Sequence, residues 1–465
     1  MELGALPADL SPRMPTTAPL QSLRDLPPGA PVQLVAFDLD GVPRGKLLTR
    51  DKALAALREG FGFCDVVFGW DIGDVPYDGT GLVGWGSGYP DARASVDAAT
   101  LRQTPWADGR PLLIADFSGG HLADACPRTL LRWVSAQAAD LGYGIRAGFE
   151  YEWFNFRETP DSLAAKRGAA PTPITPGMHG YSVLRPAAEP AFHQALWTDL
   201  AAFGTPLEGL HTETGPGVYE AALPPAAALP AADAAALMKL GVKQIARRHG
   251  FTASFMAKWR DDLPGCGGHL HQSLWSADGT AALGFDESRS HGMSQACEHY
   301  LAGVLHALPR LAPLWAPNVN SYKRLVPGSW AATSVSWGVD NRTAAVRIVG
   351  GGPASYRLEL RLPGADANPY LALAASVAAG LYGIRKELPL SLKPVTGDAY
   401  EATGLTPLPR DLGESVRAMR EAHDFAAELL GEAFVGHFLR TREWELRQAR
   451  AAVTDWERRR YLELA

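Results

Sequence analysis

Gly148-Phe-Glu-Tyr-Glu-Trp-Phe-Asn-Phe156 alternates acids with aromatic residues, a composition that favours a β-strand. Successive side chains of a strand point to opposite faces, so Glu150 and Glu152 share one face and Phe149, Tyr151 and Trp153 the other. One face is made for a core; the other suits either solvent or a cation. Two further segments repeat this design. His269-Leu-His271, following the turn Gly265-Cys-Gly-Gly268, places two imidazoles on one strand face, and Arg357-Leu-Glu-Leu-Arg361 places two guanidiniums there with Glu359. Interleaved surface ion pairs would each be worth little. Gathered in a concavity, the same groups hold divalent cations through oxygen and imidazole ligands, and grip phosphate or carboxylate through arginine forks.

Two more acids fit this plan. Glu213 and Glu220 bracket Thr-Gly-Pro-Gly-Val-Tyr, a turn able to bring both side chains to one place. Arg324, Arg342, Arg347, Arg357 and Arg361 fall in largely apolar sequence, where a buried charge must find a partner, and an anionic ligand is the natural one.

Around these segments the chain reads as α+β. Strands are expected over 148–156, 216–223, 267–275, 332–338, 344–349 and 356–362, separated by helical stretches over 190–203, 231–249, 293–308, 367–385 and 412–430. An amphipathic helix from Pro127 to Leu141 opens this larger unit, giving a second domain over 126–465. Ahead of it, Pro31 to Lys46 reads as strand, turn and strand, Asp51 to Leu57 as a short helix, and 61–120 as a small sheet with long loops, a first domain over 31–125. The proline-rich residues 1–30 are expected to be a mobile tail.

Composition narrows the partners. A chain of 465 residues, 46% hydrophobic and 20% charged, can build two or three packed domains. Its net charge of −6 offers no basic excess for nucleic acid or anionic membrane. Cys64, Cys126, Cys266 and Cys297 form no CxxC pair, no apolar run is long enough to span a bilayer, and no export signal is read, so a cytoplasmic location is expected. Gly79-Thr-Gly-Leu-Val-Gly84 spells a dinucleotide motif, but no helical pattern opens at its third glycine. Cys266 beside the histidine strand lacks a third orienting group and reads as a turn residue.

Taken in order, Arg44-Gly-Lys46, GFEYEWF at 148–154, ETGPGVYE at 213–220, GGHLHQSLW at 267–275, NSYKRLVPG at 320–328, NRTAAVRI at 341–348 and RLELRLPGADANPYLALA at 357–374 resemble the glutamine synthetase family. The resemblance implies an N-terminal β-grasp domain, a catalytic α/β domain, and subunits stacked in rings, a dodecamer foremost, with each active site between neighbours. It implies two or more magnesium or manganese ions, one on Glu152, Glu213 and Glu220, another on Glu150, His269 and Glu359. His271, Ser273 and Arg357 match nucleotide-binding positions, Gly265 and Arg324 glutamate-binding positions, and Arg342, Arg347 and Arg361 catalytic positions that grip phosphate and acyl phosphate. ATP is then a co-substrate: the γ-carboxylate of L-glutamate takes its γ-phosphate to give γ-glutamyl phosphate, and an amine displaces phosphate.

The sequence departs from the family at the amine position. Trp330 stands where a flap glutamate is usual, and a neutral indole removes the partner that a small, strongly hydrated ammonium needs. Asp71, in Phe68-Gly-Trp-Asp-Ile-Gly-Asp74, is the candidate replacement for the other ammonium-binding acid, while Val218 and Pro264 stand where glutamine and asparagine are usual. The expectation is a γ-glutamyl amide ligase acting on a small organic amine; its rivals are an ordinary ammonia-using glutamine synthetase and a non-catalytic relative. Tyr400, near a regulatory tyrosine of some bacterial members, sits in a poorly matching context, and no modification is expected there.

Overall fold

The alternation around Val32-Gln-Leu-Val-Ala-Phe37 and the Asp-Gly turn after it fold into a hairpin, β1 (Pro31–Phe37) with β2 (Pro43–Thr49), paired antiparallel through Val35 and Gly45. The computed structural model describes residues 17–79 and 81–465. Thr49 accepts a hydrogen bond from the Lys52 amide and starts the helix Arg50–Glu59, which turns Ala53 and Ala56 inward. β3 (Phe61–Cys64), β4 (Asp91–Thr104) and β5 (Arg110–Asp116) complete a five-stranded sheet of order β2-β1-β5-β4-β3, in which only β1 and β5 run parallel. A mixed sheet crossed by one helix is the grasp-like arrangement expected.

The larger sheet is built on β6 (Tyr143–Phe156). β7 (Gly209–Thr212) and β8 (Val218–Ala222) form a hairpin beside it, while β9 (Ala226–Ala227) and β10 (Thr252–Ser254) pair with its two ends. On the other side come β11 (Gly268–Ser276), β12 (Trp337–Val339), β13 (Val346–Val349) and β14 (Arg357–Leu360), giving the order β12-β13-β14-β11-β6-β8-β7. The aromatic face of β6 is core: Phe149, Tyr151 and Trp153 are buried, and the helices Pro127–Asp140 and Ala228–Arg248 pack against that strand. Below them, Gln295–Ala307 lies across Pro369–Arg385 so closely that a Cβ on Gly383 would stand 2.0 Å from the His299 carbonyl and one on Gly303 would stand 2.1 Å from that of Ala379.

Four elements differ from expectation. The strand expected over 332–338 forms only at Trp337–Val339, while 332–336 is irregular and bridges Pro407 at Ser334. Residues 1–16 of the expected tail lie outside the described residues; from Thr17 to Arg24 the chain is helical, held by burial of Leu23 and by Arg50 donating to the Arg24 and Leu26 carbonyls. The stretch 412–430 is two helices, Leu412–Glu421 and His423–Leu430. Beyond them the helix Glu432–Ala451, which the sequence reading left unassigned, returns to the first sheet: His437 donates to the Phe68 carbonyl, Arg442 to Asp40, Trp444 to Asp71 and Arg447 to Asp78. Among the described residues no helix is long and apolar enough to cross a membrane.

Candidate functional site

Strand register assembles the charged residues. His269 pairs with Glu150 across β11 and β6, and Glu220 of β8 lies between Glu152 of β6 and His211 of β7. Glu359 of β14 lies between His271 of β11 and Arg347 of β13. Directly opposed residues of antiparallel strands bring their side chains within about 5 Å, so a row of such pairs makes a continuous charged floor. Above it is a cavity of about 570 Å³ lined by Glu150, Glu152, Glu213, Glu220, His269, Glu359 and the expected Gly265, Arg324, Arg342, Arg347, Arg361 and Trp330.

Two groups of donors stand close enough to share an ion: Glu150, His269 and Glu359, and His211, Glu213 and Glu220. The first is the expected trio. In the second, His211 joins Glu213 and Glu220, while the Glu152 carboxylate, which lines the same cavity, accepts from the Gly267 amide at 2.9 Å. The sequence reading assigned no element to Gly209–Thr212, the short strand that carries His211. Tyr181 stacks on the His211 ring with centroids 4.5 Å apart.

The electrostatics fit a cation. Burial and the charges of Glu150 and Glu152 push the Glu220 carboxyl up to about 11, and Glu213 is raised by burial and by Glu152. A buried oxygen of Glu213 has no hydrogen-bond partner. Four carboxylates so placed repel one another unless a positive charge joins them, and a hard divalent ion is the group that oxygen and imidazole donors would hold. The other end of the site is already compensated. Against its burial, Glu359 is held low by His269, Arg361, His271 and Arg347, and Glu150 is held low by hydrogen bonds from His269 and His271. Arg347 donates to Glu359 at 2.8 Å and also to Asp340; Arg361 donates to the other oxygen of Glu359.

Arg324 is buried, and its guanidinium donates to the Leu362 and Pro363 carbonyls at 2.6 and 3.0 Å while its Nε keeps no partner. Gly265 has to be glycine here, since a Cβ would stand 2.4 Å from the Ala257 carbonyl and 2.7 Å from the Arg324 side chain. The expected nucleotide residues gather in an adjoining cavity of about 330 Å³ that shares Glu150: His271, Ser273 and Arg357 line it, with Arg357 donating to His271 at 3.2 Å. At its far end the Arg146 guanidinium lies 3.9 Å over the Trp275 ring. The residue expected at the amine position that the chain does not bring here is Asp71, whose carboxylate is taken by Trp444 and by the Gly73 and Val75 amides. At the mouth, Trp330, Met178 and Tyr181 expose apolar surface, with Leu263 and Pro264 beside them; Asp261 and Asp262 also reach it, Asp262 being paired with Arg260.

A sheet floor that presents acids and imidazoles for a cation, flanked by arginines and opening into a second cavity, has the donors that phosphate chemistry requires. Residues 124–461 match the glutamine synthetase catalytic domain, and the chain belongs to the glutamine synthetase family. Members of this family are ligases that use ATP and divalent metal ions to form C–N bonds, and the chain is an enzyme of that class. It is 45% identical over 438 residues to type-1 glutamine synthetase 2 of Dictyostelium discoideum, covering 93% of this chain and 84% of the relative. It is 35% identical to a glutamate–isopropylamine ligase of Pseudomonas, covering 93% and 95%. Among solved structures it resembles a GmaS/ADP complex, with TM-score 0.81 at 30% identity over 95% of this chain and 98% of the other.

Proposed function

We propose that the protein joins L-glutamate to a small organic amine, forming a γ-glutamyl amide at the expense of ATP. The observation that carries this reading is Trp330: an indole, 62% exposed, occupies the mouth of the cavity where a carboxylate would be needed to bind ammonium. An apolar rim of Trp330, Tyr181 and Met178 gives an alkyl or aryl group surface to bury, which ammonium cannot use. The similarity to a glutamate–isopropylamine ligase supports the same reading.

In this proposal Glu150, His269 and Glu359, and Glu152, Glu213 and Glu220 with His211 close to them, hold magnesium or manganese ions. When bound, these ions neutralise charge on phosphate oxygens as the phosphoryl group passes in line. His271, Ser273 and Arg357 receive the nucleotide, and Arg324 beside the close-packed Gly265 receives the glutamate carboxylate. A γ-carboxylate oxygen of glutamate bonds to the γ-phosphorus as the bond to the ADP oxygen breaks. The amine nitrogen then bonds to the carbonyl carbon of the γ-glutamyl phosphate, the bond from that carbon to the phosphate oxygen breaks, and the nitrogen gives up a proton. Arg342, Arg347 and Arg361 stabilise charge on the transferred group and the acyl phosphate. Ring assembly with active sites between subunits is part of the proposal, and Asp71 would then act only on a neighbouring copy.

The test is phosphate release from ATP and glutamate with magnesium across ammonium, methylamine, isopropylamine, ethanolamine, putrescine, spermidine and aniline, with products identified by mass. Stimulation by an organic amine well above ammonium is the expected result. Ammonium winning would make the protein a glutamine synthetase with a rebuilt flap, the reading that the 45% identity to the Dictyostelium enzyme favours. No stimulation by any amine would overturn this choice of substrates and point to an amine or acyl donor outside the panel.

A further inference from the structure

Trp330 holds its backbone at φ +57°, in the left-handed region that a bulky side chain avoids unless its surroundings impose it. Two hydrogen bonds on successive carbonyls supply that constraint. Arg361 Nη2 donates to the Trp330 carbonyl at 3.2 Å, and the Tyr400 hydroxyl donates to the Ala331 carbonyl at 3.1 Å. We propose that Tyr400 is a positioning residue for the amine mouth, latching the flap so that the indole of Trp330 stays over the cavity; the inference rests on the substrate reading above.

The two donors differ in their other duties. Arg361 lines the cavity and also donates to Glu359, so it belongs to the charged floor and is placed to turn toward a bound phosphate. Tyr400 does not line the cavity; its ring is half-buried behind the flap, and its hydroxyl is committed to the flap carbonyl. When Arg361 is drawn to phosphate, the Tyr400 bond is the one that remains.

The segment that carries Tyr400 is itself fixed to both neighbours. Asn341 Nδ2 donates to the Val395 and Gly397 carbonyls at 3.0 and 2.8 Å, and the Ala399 amide donates to the Thr343 hydroxyl at 2.9 Å. Further along, the Val335 amide donates to the Thr406 carbonyl at 2.8 Å and the Leu408 amide to that of Thr333 at 3.0 Å. Residues 395–408 therefore form a frame that ties the flap to the loop bearing Arg342. Tyr400 is the side chain through which that frame reaches the residue next to Trp330.

The experiment compares wild type, Tyr400→Phe, Trp330→Ala and the double variant. Tyr400→Phe keeps the ring and deletes one neutral hydrogen bond, so KM for the preferred amine is expected to rise about fivefold. The kcat and the KM values for ATP and glutamate should stay within about twofold, and the change should vanish in the Trp330→Ala background, because the latch acts through that indole. Hydrogen–deuterium exchange over residues 328–336 should quicken in Tyr400→Phe and nowhere else. Equal shifts in all three KM values, additivity in the double variant, or unchanged exchange over 328–336 would each overturn the latch. If wild type responds to no organic amine, the substrate reading falls while exchange still decides the latch; unchanged exchange with a strong amine response overturns the latch alone.

Discussion

Truncating Trp330 to alanine separates the role of its indole from that of the flap backbone. The side chain is 62% exposed within the chain, so its loss opens no core cavity, and alanine meets the same left-handed backbone cost at φ +57°. The thermal midpoint should therefore move little. An amine with three carbons, such as isopropylamine, would cover roughly half its apolar surface against the indole; at about 0.8 kcal/mol per buried methylene this is about 1.2 kcal/mol. That energy corresponds to roughly a tenfold loss in kcat/KM. Ammonium has no carbon to bury, so its kcat/KM should hold, and the ratio of the two should fall about tenfold. Phosphate release at subsaturating amine, with ATP and glutamate in excess, reads that ratio directly. Trp330→Glu should push the ratio further the same way by giving ammonium an ion-pair partner. If both amines lose activity in parallel, or the ratio is unmoved, the indole is a packing element and the argument from the mouth is wrong.

Replacing His269 by alanine should raise the magnesium or manganese concentration for half-maximal activity by on the order of a hundredfold, since a direct ligand is worth at least as much as the partners that orient one; undiminished activity at unchanged cation would sink the assignment. Burial pushes His437 down to about 4 despite its bond to the Phe68 carbonyl, so below about pH 6.5 the unfolded chain takes up a proton that the folded chain refuses. Stability is then full above pH 6.5 and falls as pH drops toward 4, by about 3 kcal/mol in all, and urea midpoints measured over that range should lose this slope in His437→Gln. Gly383→Ala would set a Cβ 2.0 Å from the His299 carbonyl and force two packed helices apart. A loss of about 3 kcal/mol in urea unfolding is expected, and an unchanged midpoint would show that the crossing is looser than described.

The charged floor was legible because strand period is strict. Once 148–156, 267–275 and 356–362 read as strands, the alternation put Glu150, Glu152, His269, His271, Glu359 and Arg361 on definite faces, and burial of Phe149, Tyr151 and Trp153 shows which face became core. Which strands lie side by side is a long-range property that alternation does not encode; the pairing of Glu220 with both Glu152 and His211 comes from register alone. His211 escaped because its strand, Gly209–Thr212, spans one alternation and shows little period. Asp71 was read as an amine-binding acid from its place in the Phe68–Asp74 segment, but the indole that occupies its carboxylate is Trp444, far along the chain. The helix at Thr17–Arg24 was missed because proline content was weighed over thirty residues, whereas one buried leucine and two hydrogen bonds from Arg50 suffice to anchor eight.

The return of Glu432–Ala451 to the first sheet has a consequence in time. The hairpin and helix of residues 31–59 can form from local contacts as soon as they leave the ribosome, yet the loop after β3 is fastened by His437, Trp444 and Arg447, which are made more than 350 residues later. Contacts so distant in sequence are slow to find and cannot form early in synthesis. That loop must wait, with Tyr77 lacking the Trp444 ring that it packs against in the finished fold, until almost the whole chain exists, so the N-terminal sheet is the part most in need of protection in the nascent protein and the last to be finished.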